Sequence, residues 1–208
     1  MPCTLETSDL LLVIDVQNDF VTGTVAIDDA PAIIPVINGV VGRFEQTAFT
    51  LDWHPQQHIS FASSHEGRAP GDVIQSPYGP QALYADHCVQ GKWGAELDAR
   101  LDLSGAVLRL HKGCRREVDS FSAFTENDRV TTTGLAALLR ERGVRRVFLA
   151  GLSMYGCVRH SAMDARKAGF EVFLVADACR ARPSPNNGQF ARELSDAGVV
   201  FLNAEDLG

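Results

Sequence analysis

Short, mainly apolar runs recur along the chain and alternate with segments of helical spacing. The apolar runs cover residues 10–14, 48–51, 106–110, 147–150, 172–175 and 199–202. Each run is too short for a typical helix and is bounded by glycine or polar residues. Such runs are typical of strands that are covered on both faces of a sheet. The pattern therefore predicts six strands, with residues 10–14 as a central strand that is buried on both faces.

Helical spacing separates these strands. It predicts helices over residues 31–44, over residues 135–142, from Cys157 to a stop at Gly169, and over residues 189–197. Strands that alternate with helices of this length favour right-handed crossovers and a parallel sheet. We therefore predict an α/β fold, with helices on both faces of a parallel β-sheet, formed by a single domain over residues 1–208.

Two connections carry little periodicity. Residues 17–20 read as a polar loop, and residues 53–93 are rich in proline, glycine, serine and histidine. A connection as long as the second is usually functional in a compact domain.

Composition narrows the class of protein. The chain has 208 residues, 45% hydrophobic and 22% charged, with a net charge of -7. This charge argues against nucleic acid or an anionic membrane as a partner. No apolar run reaches the roughly 18 residues that span a bilayer, and the first residues do not resemble a signal peptide. The five scattered cysteines suit free thiols, so we expect a cytoplasmic protein.

Four chemically distinctive features follow different predicted strands: Asp15, Asp52, Lys112 and the turn that leads to Cys157. The carboxyl ends of parallel strands meet at one edge of a sheet, where ligands bind. A cysteine at a helix start faces free N–H groups and the positive end of the dipole, which favours the thiolate. Asp15 then suits a base and Lys112 its cationic partner, with turn N–H groups as an oxyanion hole. The alternative is a small buried cysteine without a chemical role.

A second group of candidate functional residues consists mainly of histidines. Asp52 and His54 lie two residues apart at a strand end, and the long loop adds further imidazoles at His58, His65 and His87. An Asp/His/His set with open positions suits a catalytic divalent metal. Spacing alone leaves open which loop histidine joins it. The alternative is a set of surface histidines.

Taken in order, several segments resemble the nicotinamidase/pyrazinamidase branch of the isochorismatase-like hydrolases. The matching segments are residues 13–20 (VIDVQNDF), 52–55 (DWHP), 59–62 (ISFA), His65, 86–90 (DHCVQ), 111–113 (HKG), 119–124 (DSFSAF) and 156–158 (GCV). The resemblance implies a Rossmann-like three-layer fold. It also implies that Cys157 is the nucleophile, Asp15 the general base and Lys112 the third catalytic residue.

The same resemblance implies the rest of the site. The metal ligands would be Asp52, His54 and His87, holding one divalent ion, with zinc favoured over iron or manganese. The oxyanion hole would use the N–H groups of Ser153 and Cys157, with a cis peptide before Ser153. Phe20 would be one of two aromatic walls around a pyridine ring.

Two departures from the family pattern fall at the substrate pocket. The second wall is usually a tryptophan followed by proline, but here it is Tyr84 followed by Ala85. The turn before the nucleophile usually carries a polar residue, often aspartate, but here it reads Met154-Tyr155-Gly156. Both changes concern substrate choice rather than the mechanism.

We therefore expect a metal-dependent cysteine amidohydrolase that converts nicotinamide and water to nicotinate and ammonia, and that also accepts pyrazinamide. This would place it in pyridine nucleotide salvage for NAD biosynthesis. Its partners would be a small-molecule amide and further copies of the same chain. One alternative is hydrolysis of another small amide, lactam or carbamoyl group within the same superfamily. The other is a non-catalytic metal-binding or redox-sensing thiol protein.

Overall fold

The computed structural model describes residues 3–208. Its strands are β1 (Leu10–Ile14), β2 (Gln46–Asp52), β3 (Val73–Ser76), β4 (Gly79–Ala82), β5 (Ala106–Lys112), β6 (Arg146–Leu152), β7 (Glu171–Arg180) and β8 (Val199–Leu202). Its helices are α1 (Asn18–Val21), α2 (Ile33–Val41), α3 (Leu135–Glu141), α4 (Arg159–Lys167) and α5 (Asn187–Asp196).

Six strands form one parallel sheet in the order β5-β2-β1-β6-β7-β8. The central strand β1 is fully buried, and its side chains alternate between two cores. Leu11 and Val13 pack with the apolar side of α2. Leu10, Leu12 and Ile14 pack with residues of α3, α4 and α5. This arrangement confirms the predicted parallel sheet with helices on both faces.

The register of the sheet places the strand ends side by side. Asp52 pairs with Lys112 across β2 and β5, and Ile14 pairs with Gly151 across β1 and β6. Gly151 has a φ of 118°, and a Cβ there would collide with the backbone of Ile14. Glycine is therefore required where the two central strands approach most closely.

The structure corrects several predicted boundaries. Residues 17–20 are not simply a polar loop, because a short helix, α1, begins at Asn18. Residues 53–93 contain an antiparallel hairpin of β3 and β4, which the sequence hides because few of its side chains are buried. Strand β7 continues to Arg180, well beyond the predicted end.

The segment before α4 also differs from prediction. Met154–Val158 forms a single π-helical turn, and α4 itself begins at Arg159. Gly156 has non-helical dihedral angles, so the chain bends immediately before the cysteine. Within residues 3–208, no helix has both the length and the apolar character needed to cross a membrane.

Candidate active site

Lys112 is the centre of a buried ionic cluster at the carboxyl edge of the sheet. Its Nζ lies 2.8 Å from Oδ2 of Asp15 and forms a second ion pair with Asp52. Nζ also donates to the Ser120 carbonyl at 3.0 Å and lies 3.6 Å from Sγ of Cys157. The fold therefore brings together the residues that the sequence assigns to separate strand ends.

Asp15 is held in one orientation by Thr50 of the neighbouring strand. The Thr50 hydroxyl donates to Oδ1 of Asp15 at 2.5 Å and accepts the Asp15 N–H at 3.2 Å. The backbone of Asp15 is left-handed, with φ of 51°. The sulfur of Cys157 and one carboxylate oxygen each from Asp15 and Asp52 all lie within 4.8 Å of one another. Asp15 is thus placed to exchange a proton with the sulfur.

The resting state of Cys157 differs from the sequence-based expectation of a thiolate. Burial raises the pKa of this thiol well above its ordinary value, and the carboxylates of Asp15 and Asp52 add to the rise. Lys112 opposes them without prevailing. Burial alone would lower the pKa of Lys112, but the same carboxylates raise it overall. The site therefore holds an ammonium group and a neutral thiol, which needs a base before it can attack.

The turn beside the thiol has the backbone form that the resemblance implies. The peptide bond between Leu152 and Ser153 is cis. The Ser153 carbonyl accepts the N–H groups of Gly156 at 2.9 Å and Val158 at 3.2 Å. Ser153 and Cys157 both line the same cavity.

Asp52, His54 and His87 form a buried group of metal-ligating side chains. One ligand atom from each lies within 4.8 Å of the others. Nδ1 of His54 is 3.0 Å from the Gly113 carbonyl, and Nδ1 of His87 is 2.8 Å from the Ala85 carbonyl. A ring N–H donated to a carbonyl leaves Nε2 of the same ring as a ligand atom.

The protonation states of the two histidines also suit a bound cation. Burial lowers the pKa of both His54 and His87, so their rings are neutral, as metal ligands must be. Gly113 has a φ of 64°, and a Cβ there would collide with the His54 ring, so this glycine lets the ring dock on the backbone. A carboxylate with two neutral imidazoles is a donor set that suits a divalent ion such as zinc.

The other two loop histidines are engaged elsewhere. The His58 ring stacks on His54 at 4.1 Å, but its Nδ1 is 2.7 Å from the Ser60 hydroxyl and its Nε2 3.3 Å from the Val118 carbonyl. It also belongs to a second ligand group, with His54 and Asp119. Nε2 of His65 is 2.9 Å from the Ile59 carbonyl. Both ring nitrogens of His58 have partners, and His65 belongs to none of the groups of ligand atoms, which favours the set that contains His87.

A cavity of about 130 Å³ opens beside these groups. It is lined by Phe20, Val25, Asp52, His54, Tyr84, His87, Asp119, Phe121, Ser153, Gly156, Cys157 and Arg182. An apolar cavity of roughly 150 Å³ holds a benzene molecule, so this volume suits one six-membered ring.

The two aromatic residues named from the resemblance are part of this cavity. Phe20 and Tyr84 each meet the His87 ring edge-on, with ring centroids 5.7 Å apart. Burial raises the pKa of Tyr84 to about 12, so its hydroxyl stays protonated.

Four residues that line the cavity were not predicted from the sequence to belong to the site: Val25, Asp119, Phe121 and Arg182. Asp119 and Phe121 lie in residues 119–124, a segment whose match to the family pattern could have identified them. Val25 and Arg182 lie in connections without any such signal.

The chain is similar over nearly its whole length to known proteins that share one domain family. The isochorismatase domain model matches residues 9–206. A nicotinamidase from Acinetobacter baylyi is 46% identical over 199 residues, which cover 95% of this chain and 93% of the relative. A protein from L. infantum, solved in complex with nicotinate, has a TM-score of 0.89 and 36% identity, covering 100% of this chain and 99% of that one. A pyrazinamidase from Pyrococcus horikoshii, solved in complex with zinc, has a TM-score of 0.77 and 30% identity, covering 94% of this chain and 99% of that one.

Proposed function

The chain belongs to the isochorismatase family, and we propose that it hydrolyses nicotinamide to nicotinate and ammonia through a thioester on Cys157. The observation that carries this proposal is the contact of Lys112 with both Asp15 and Cys157 beside a cavity the size of one ring. A nucleophile, a base and a cation meet there at the edge of an aromatic pocket. The similarity to nicotinamidases supports the choice of amide.

In the first half of the reaction, Asp15 takes the proton of the Cys157 thiol. The thiolate attacks the carboxamide carbon, and the N–H groups of Ser153 and Cys157 stabilise the resulting oxyanion. The C–N bond then breaks as Asp15 returns the proton to the nitrogen. Ammonia leaves, and the acyl group stays on the sulfur as a thioester.

In the second half, Asp15 takes a proton from water, and the hydroxide attacks the thioester carbon. The C–S bond breaks, the sulfur regains a proton from Asp15, and the acid that forms loses its own proton to solvent and leaves as nicotinate. Lys112 stays protonated throughout, because the two carboxylates hold its charge. Its role is to stabilise the thiolate whenever the proton rests on Asp15.

Asp52, His54 and His87 would hold the divalent ion, for which we propose zinc, with iron or manganese as alternatives. When bound, the ion supplies a Lewis-acid site for the ring nitrogen of the substrate, which orients the ring. Phe20 and Tyr84 would hold the faces of that ring. The zinc in the Pyrococcus pyrazinamidase supports the metal assignment.

A second candidate is hydrolysis of a different small amide by the same mechanism. Tyr84 favours it, since its hydroxyl can accept as well as donate a hydrogen bond, whereas the indole that the family usually has there can only donate. A non-catalytic thiol or metal-binding role has less support, because Asp15, Lys112 and Cys157 lie together as an amidase requires.

The deciding experiment is an ammonia-release assay on metal-loaded protein over nicotinamide, pyrazinamide and other small amides. We expect nicotinamide and pyrazinamide to give turnover, and Cys157→Ala to give none. If the protein turns over only another amide, the amidase mechanism stands and the assignment of nicotinamide as the substrate is wrong. Homo-oligomer formation, a cytoplasmic location and the single domain stay predictions from the sequence, and light scattering of the purified protein would test the first.

A further inference from the structure

Two connections meet at the cavity through the side chain of Arg182. Its guanidinium donates from Nη1 to the Ala26 carbonyl at 3.3 Å, and from Nη2 to the Val25 carbonyl. Arg182 follows β7, whereas Val25 and Ala26 lie between α1 and α2. Val25 and Arg182 both line the cavity. The arginine therefore joins two parts of the cavity rim that are distant in sequence.

Both sides of this bridge are anchored to the fold. The Val25 N–H donates to the Asp19 carbonyl at 3.2 Å, and the Ile27 N–H donates to the carbonyl of Phe20 at 3.0 Å. On the other side, the Asn187 side chain donates to the Arg182 carbonyl at 2.9 Å. The bridge thus joins the segment behind the aromatic wall at Phe20 to the start of α5.

We propose that Arg182 is a specificity-determining residue, which restricts the cavity to pyridine and pyrazine carboxamides without ring substituents. This inference rests on the proposed function. The planar guanidinium presents two N–H donors in a fixed fork, so it can engage two adjacent carbonyls at once. Lysine offers a single ammonium on a flexible stem and holds the same pair less rigidly. Alanine leaves both carbonyls to water and removes part of the rim.

The test compares nicotinamide with nicotinamides that carry one methyl group on a ring carbon. Arg182→Ala should raise kcat/KM for at least one methylated isomer, relative to nicotinamide, by fivefold or more. Arg182→Lys should give an intermediate change. Ratios within twofold of wild type for every isomer in Arg182→Ala would overturn the proposal.

Arg180→Ala is a matched control, because Arg180 also joins the end of β7 to the α1–α2 connection. Its Nε lies 2.9 Å from Oδ2 of Asp29, and it does not line the cavity. It should leave the ratios within twofold of wild type. An equal change in Arg180→Ala would mean that general loosening of the connection, and not the cavity rim, sets the selectivity.

Ligand binding separates failure of this inference from failure of the proposed function. If the wild-type protein releases no ammonia from nicotinamide, the nicotinamide assignment fails. Calorimetric titration of nicotinate and its ring-methylated analogues into metal-loaded protein then reads the same selectivity without turnover. Arg182→Ala should reduce the preference for nicotinate over at least one analogue by fivefold, and an unchanged preference would overturn the role of Arg182. Should Arg182→Ala fold poorly in thermal unfolding, Arg182→Lys carries both comparisons.

Discussion

The ammonium group of Lys112 lies 3.6 Å from the sulfur of Cys157, yet the pKa of this thiol is raised well above its ordinary value. Burial is the main cause, and the carboxylates of Asp15 and Asp52 add to it. Both carboxylates also pair with Lys112, so its charge is already balanced before the sulfur can use it. The Cys157 thiol is therefore neutral at rest, and it becomes nucleophilic when its proton is transferred to Asp15.

This relationship predicts two opposite effects of Asp15→Asn. Turnover should fall by roughly 10²–10⁴-fold, the usual contribution of a general acid–base group. The pKa of Cys157 should fall as well, because a negative charge that raises it is gone. The pH profile of iodoacetamide alkylation would show this as a shift of its midpoint to lower pH.

The controls for Asp15→Asn are Cys157→Ala, which should have no turnover and lose the alkylation at this site, and the half-buried carboxylate variant Asp102→Asn, which does not line the cavity. Asp102→Asn should match wild type in both measurements. If the alkylation profile does not shift in Asp15→Asn, the carboxylate of Asp15 does not influence the pKa of the Cys157 thiol. Retention of most of the turnover would remove Asp15 as the base.

Metal content gives the second prediction. His54→Ala and His87→Ala should each lose the divalent ion, which elemental analysis would find at about one per chain in the wild type. The KM for nicotinamide should rise in both variants, since the ring nitrogen loses its partner. Benzamide lacks that nitrogen and should be a poor substrate of the wild type for the same reason.

His65→Ala is the control for the metal ligands. Nε2 of His65 is paired with the Ile59 carbonyl, away from the ligand group, so this variant should keep its metal. If His65→Ala lost the ion and His87→Ala kept it at full occupancy, His65 and not His87 would be the metal ligand.

The strand ends of the site could be predicted from the sequence because they depend on simple regularities. Asp15, Asp52 and Lys112 each end or follow a mainly apolar run, and parallel strands align such ends at one edge. The sheet order and register then bring them into contact. No side-chain detail was needed for that part of the prediction.

The residues of the long loop could not be placed in this way. Tyr84 and His87 were assigned from the family resemblance, because their positions depend on isolated bridges, Phe61 with Tyr84 and His54 with Val89. Single bridges leave no hydrophobic period in the sequence. Arg182 was missed because it follows an irregular, polar extension of β7.

The protonation state of Cys157 was also beyond the sequence. The position of Cys157 near a helix start reflects only its local backbone, whereas burial and two carboxylates from distant strands decide the pKa of its thiol. The π turn Met154–Val158 also separates the cysteine from the first residue of α4. Such an effect depends on three-dimensional neighbours, which a linear pattern does not give.

The third prediction concerns acid stability and His160, which lies on α4 outside the proposed metal site. Burial lowers the pKa of His160 from 6.5 to about 4. The positive charges of Arg159, Arg129 and Lys112 lower it further, and the carboxylate of Asp164 opposes them. The unfolded chain therefore binds a proton on His160 below pH 6.5, while the folded protein does so only near pH 4.

Between pH 7.5 and pH 5, the free energy of unfolding should therefore decrease by on the order of 2 kcal/mol through this residue. His160→Gln should lose correspondingly less stability between pH 7.5 and pH 5 in urea titrations. The exposed His111→Gln serves as the control and should follow the wild type. A wild-type pH dependence in His160→Gln would show that other groups cause the acid destabilisation.

The last prediction concerns the ring pocket, where Tyr84 replaces the usual tryptophan. Offset stacking of an aromatic pair is worth about 0.5–1.5 kcal/mol beyond area burial, and an indole would bury more of the substrate ring. Tyr84→Trp should therefore lower the KM for nicotinamide several-fold with little change in kcat, as for contacts shared by ground and transition states.

Tyr84→Phe separates this stacking role from a polar one. If the ring alone matters, Tyr84→Phe should match wild type on nicotinamide. If the hydroxyl of Tyr84 serves a polar group of a different substrate, Tyr84→Phe should impair that substrate strongly, because an unpaired buried polar group costs roughly 1–3 kcal/mol. Steady-state kinetics of both variants over the amide panel distinguishes the two. A wild type inactive on nicotinamide, with Tyr84→Trp equally inactive, would leave only the wider class of small-amide hydrolases.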